Sequence, residues 1–231
     1  MQSYHNSAEL KEKIINQLQM HYDLDQIIQG TYWENGKGCA LGCIMHQNGT
    51  EDEGIHISMQ KELGIIQPIP RLIDRIFEGL DNEMAKEFPL KVMKAIPVGN
   101  DLSQVWSKFA VWLLIDDEHG VIRHAKTDGA KNAIKNVTNL YERKLKCDPI
   151  KNQEWREASR DTYAAVAYAG AAYDAASYVG ANAADAYAAD AYAAAAAHAS
   201  YAAAAAADAY AAGEKKNHYK IMADKLIELV S

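Results

Sequence analysis

The chain has 231 residues and a formal net charge of −7, a length that suits one domain or a domain with an appendage. The acidic balance excludes a general nucleic-acid binder, because neutralising phosphates needs clustered Lys and Arg. Much of the 49% hydrophobic fraction is alanine, and no apolar run reaches the roughly 18–20 residues of a membrane span, so no membrane partner is expected.

Three cysteines, Cys39, Cys43 and Cys147, form an odd set. With no secretory apolar segment at the start of the chain, they predict a reducing, cytoplasmic setting.

The first helix is predicted from Ser7 to Ile28. Asn6 and Glu9 are placed as a capping box, and Leu10, Ile14, Leu18 and Tyr22 trace an apolar stripe. Residues 31–46 read as a tight loop, with a turn at Asn35-Gly36, feeding a short helix. Residues 47–58 are polar and read as loop. A helix is expected over Arg71–Gly79, with Leu72, Ile73, Ile76 and Phe77 inward. Another is expected over Asn82–Ile96, interrupted near Pro89. Asn100 or Asp101 is placed as the cap of a helix over Leu102–Ile115. Asp116–Gly120 reads as a turn, Gly129–Lys146 as a helix, and Pro149 as a boundary.

Beyond Asn152 the composition shifts to Ala, Tyr, Asp and Gly. The hexamer Ala-Asp-Ala-Tyr-Ala-Ala occurs at 189–194 and 207–212, an offset of about five helical turns. Alanine favours helix over strand, so the tract predicts a tightly packed helical hairpin or bundle, with a homo-oligomer forming through it. A final amphipathic helix carries Ile221, Met222, Leu226 and Leu229. The fold class is therefore all-α, divided into a helical front domain over 1–148 and an Ala-rich segment with its terminal helix over 149–231.

Four groups of residues are candidates for chemistry. The run Asn35-Gly36-Lys37-Gly38 precedes a short helix, so its amides and Lys37 could hold an anion, with Tyr32 and Trp33 stacking on a base. Its spacing is not that of a P-loop. Cys39, Cys43 and His46 share a helical face, with His56 downstream. That spacing departs from the usual zinc pattern, so no cofactor and no tightly bound structural metal is expected, and these three remain weak metal candidates. Asp116, Asp117 and Glu118 beside His119 and His124 read as a solvated turn. Arg71 and Arg75, one turn apart, could grip a phosphate or carboxylate, or pair with Asp74 and Glu78.

The blocks GTYWENGKGCALGC (30–43), RLIDRIFEGL (71–80), KAIPVGNDLSQV (94–105) and YKIMADKLIEL (219–229) resemble an uncharacterised family encoded by bacteriophages and bacteria. Its members pair a front domain with a variable Ala-rich repeat tail. The resemblance implies a phage or prophage accessory protein with a counter-defence role, and by analogy a host cytoplasmic location. The expected function is a binding protein that captures a small anionic or nucleotide-derived ligand or a host defence protein, with Tyr32, Trp33, Asn35, Gly36, Lys37, Gly38, Arg71 and Arg75 at the site. A hydrolase or nucleotide-processing enzyme using the Cys/His or acidic cluster is the alternative, and a structural assembly protein the third reading.

Overall fold

A computed structural model describes residues 1–45, 54–125, 127–158 and 214–231. The helices are α1 (Ala8–Asp23), α2 (Ala40–Met45), α3 (Ile55–Leu63), α4 (Ile69–Gly79), α5 (Asn82–Ala95), α6 (Val105–Ile115), α7 (Asp128–Leu145) and α8 (Lys215–Val230). Among the described residues there is no strand, only isolated bridges such as Ile27 with Gly38. The fold is all-α.

The described residues form two compact units. The first is Met1–Ser103 with Tyr219–Ser231, and the second is Gln104–His218. The last residues of the chain thus group with the first unit. The Ala-rich tract, with its expected hairpin or bundle, lies outside the described residues, as does His46.

In the first unit, α4 shows how the sequence makes its elements. Leu72, Ile73, Ile76 and Phe77 are all buried. Burial of each is worth about 1.5–3 kcal/mol, several times any difference in helix propensity. Pro70 sits in the first turn, where its missing N–H costs nothing. α5 is capped by Asp81, whose carboxylate accepts the Met84 N–H at 3.0 Å. This helix runs through Pro89 without interruption. The proline removes one backbone bond, and the burial of Phe88, Pro89 and Leu90 offsets it. Lys11 closes the other end, donating to the carbonyls of Lys94 and Ile96.

Three sequence expectations shift at their edges. The cap of α1 is Ser7, which accepts the Leu10 N–H at 3.1 Å; Asn6 instead lies in a left-handed turn at φ 61°. α1 stops at Asp23, and Asp25 at φ 51° turns the chain into an irregular strap, residues 25–33. α3 begins at Ile55, inside the expected loop, because Ile55, Met59 and Leu63 fall on one buried face.

In the second unit, Thr127 caps α7 by accepting the Ala130 N–H at 3.2 Å. Trp106 of α6 donates its indole N–H to the Tyr141 hydroxyl at 3.0 Å. Trp155, in a helical stretch over 152–158, packs edge-on against Tyr141 at 4.9 Å. Asp116 accepts the Glu118 and His119 N–H groups, so the predicted acidic turn is held by its own first carboxylate.

Candidate functional site

The strap ends in a hairpin. Asn35 and Gly36 both have positive φ, 50° and 80°, as a two-residue turn of this kind requires. Glu34 and Lys37 exchange backbone bonds across it at 2.8 and 3.0 Å. Lys37 is exposed. The amides that an anion would use are engaged within the chain: Gly38 N–H donates to Gln26 O at 2.9 Å, and Cys39 N–H to Thr31 O at 2.7 Å. Trp33 packs edge-on against His21 at 5.2 Å.

Gly38 and Gly42 let the short helix α2 press onto the strap. A Cβ at Gly38 would stand 2.1 Å from the Tyr32 carbonyl oxygen, and one at Gly42 would stand 1.5 Å from it. Gln17 of α1 holds the other side, donating to the Cys43 and Ile44 carbonyls at 2.7 and 3.1 Å. Gln29 ties the strap to α4 through the Phe77 and Leu80 carbonyls. α2, the strap and α4 thus meet along one line.

On that line lies a cleft of about 380 Å³, lined by Gly30, Thr31, Tyr32, Cys39, Asp74 and Glu78. The Cys39 sulfur and one carboxylate oxygen each from Asp74 and Glu78 lie within 4.8 Å of one another. The Cys39 thiol points at Asp74 Oδ1 from 3.9 Å. The other Asp74 oxygen, Oδ2, is 3.1 Å from His56 Nε2. His56 is fixed in turn: Gln67 donates to its carbonyl at 2.6 Å, and its ring meets Tyr32 edge-on at 6.0 Å. Both Glu78 oxygens accept the Gly30 N–H, at 3.1 Å each.

The electrostatics follow from burial and like charge. Cys39 is 1% exposed, and burial, with Asp74 adding to it, pushes its thiol up to about 12. Burial thus works against thiolate formation at Cys39. Burial and neighbouring Asp74 also raise the Glu78 carboxyl, against the pull of the Gly30 N–H and Arg75.

Cys39 thus meets Asp74, Glu78 and, through Asp74, His56. Cys43 is turned away, its thiol directed at the Gly38 carbonyl at 3.4 Å. Arg71 and Arg75 lie on α4, yet the partner of Asp74 Oδ2 is the His56 ring, and neither arginine forms an ion pair with Asp74 or Glu78 among the described residues. The carboxylates were legible as the polar side of α4, but nothing in the spacing joined them to Cys39. No family model, curated protein or solved structure matches the chain. Function is therefore read from the site itself.

Proposed function

We propose that the protein binds a divalent transition-metal ion of the zinc type through Cys39, Asp74 and Glu78. The observation that carries this reading is the convergence of a thiol from just before α2 and two carboxylates from α4, within 4.8 Å at the wall of a cleft. A thiolate with two carboxylate oxygens suits zinc, a borderline-soft ion that accepts sulfur and oxygen together. Such an ion would deprotonate the thiol and would offset the burial, and with it the Asp74 charge, that raises the Glu78 carboxyl. His56 is the supporting partner that orients a ligating carboxylate.

Zinc titration of the full chain tests this. The wild type is expected to hold one ion per chain. Asp74→Asn and Glu78→Gln should each weaken binding by about 100-fold or more, and His56→Ala, acting through Asp74, by about 10–100-fold. Equal affinity in all four proteins would remove the site.

Three protein ligands would leave the ion a coordination position for water or substrate, as in hydrolytic zinc sites. This favours a second reading, metal-dependent hydrolysis. Turnover of a phosphate ester by the zinc-loaded protein, absent in Asp74→Asn, would select it over simple binding.

A further inference from the structure

We infer that a second cleft, between the strap and α5, binds a short extended peptide that carries a basic group. The inference is independent of the metal reading. This cleft holds about 360 Å³, and Asp25 and Ile27 of the strap line it together with Glu83 and Lys86 of α5.

The pairing of the strap leaves one edge open. Ile27 and Gly38 form a parallel bridge, in which Gly38 N–H donates to Gln26 O at 2.9 Å and Ile28 N–H donates to Gly38 O at 2.8 Å. In such a bridge the N–H and carbonyl of Ile27 itself turn to the opposite side. Ile27 lines the cleft with α5, and no residue of the hairpin 34–38 does, so the opposite side is the cleft side. Among the described residues, neither main-chain group of Ile27 bonds within the chain. Ile27 is 2% exposed, and main-chain polar groups so far from open solvent are costly until something pairs with them.

An N–H and a carbonyl on one residue are matched by those of one residue of an incoming extended chain, which exchanges both bonds with it. Charge then selects among peptides. Lys86 Nζ lies 2.7 Å from Asp25 Oδ1 but 3.8 Å from Glu83 Oε1, beyond hydrogen-bond reach. Lys86 is thus committed to Asp25, and the cleft keeps one negative charge over. Glu83 is left to take a lysine, an arginine or an amino terminus of the peptide.

The test is nuclear magnetic resonance titration of the full chain, amide-labelled, with the peptide acetyl-Val-Lys-Val-Lys-Val-amide. The controls are the same peptide with glutamate for lysine, and the lysine peptide methylated on every backbone nitrogen, which has no donor for the Ile27 carbonyl. Expected is a saturable shift of the Ile27 amide signal with the lysine peptide, and affinity lower by about tenfold or more for each control. Glu83→Gln should weaken binding by about threefold, and Lys86→Met, which releases Asp25, should strengthen it by about threefold. No shift at Ile27, equal binding by either control, or wild-type affinity in both variants overturns the inference. A shift at Ile27 that grows with protein concentration in the absence of peptide assigns the edge to a second copy of the chain, and overturns it as well.

Discussion

Gly42 and Gly129 separate two meanings of glycine in this chain. A Cβ at Gly42 would collide with the Tyr32 carbonyl, whereas one at Gly129, in the first turn of α7, meets nothing within 4 Å. Gly42→Ala should therefore destabilise by about 1–3 kcal/mol as the strap is forced off α2, and it should weaken zinc binding with it. Gly129→Ala should be neutral or stabilise by up to about 1 kcal/mol. Thermal melts of the two variants check this, and equal melting temperatures would contradict the close approach. His218 gives a second residue-scale prediction. Burial, with His119 and His124 adding to it, pushes its imidazole down to about 4. Above about pH 6.5 the ring is neutral in folded and unfolded chains alike, and its contribution is complete. As pH falls from there to about 4 the unfolded chain takes up the proton first, so stability is lost across that window. The ceiling is about 3 kcal/mol. Denaturant melts between pH 7.5 and 4 should show a shallower loss in His218→Leu than in the wild type; identical slopes would assign the acid sensitivity elsewhere.

At the scale of elements, the sequence was most legible where one periodicity governs a whole segment. The apolar face of α4, the Asn35-Gly36 turn and the span of α7 follow from spacing and turn chemistry alone. Edges were less legible because caps depend on side-chain geometry. Ser7 caps α1 although Asn6 stands beside it, and α5 continues through Pro89 because packing outweighs one lost bond. Capping can be tested at Asp81. Asp81→Ala leaves the Met84 N–H without its acceptor and should lower stability by about 0.5–2 kcal/mol, while Asp81→Asn should retain most of it. Equal losses in both would mean that the carboxylate acts through its charge and not as a cap. The candidate site is an element-scale object of another kind. Cys39 immediately precedes α2, Asp74 and Glu78 lie on α4, and His56 on α3. Periodicity describes each face by itself and is silent on which faces meet. Sequence spacing therefore grouped Cys39 with Cys43 and His46, and Asp74 with Arg71 and Arg75.

For the whole molecule, two sequence expectations carry over in part. The fold is all-α, and among the described residues no helix is long and apolar enough to cross a membrane. That Tyr219–Ser231 groups with the first unit was not legible in the sequence. There the Tyr219 ring lies against Gly79, where a Cβ would stand 2.3 Å from it. A contact that joins residues so far apart in sequence leaves no trace in local pattern. The same holds for the account's central claim, that Cys39, Asp74 and Glu78 bind one metal ion. Cobalt(II) titration of the intact protein, followed by absorption, tests it most directly, since a cobalt–thiolate bond gives a near-ultraviolet charge-transfer band. The wild type and Cys147→Ser, whose cysteine is exposed, are predicted to develop that band at one ion per chain, and Cys39→Ser to lack it. A band that survives Cys39→Ser, or no band in the wild type, would contradict the assignment.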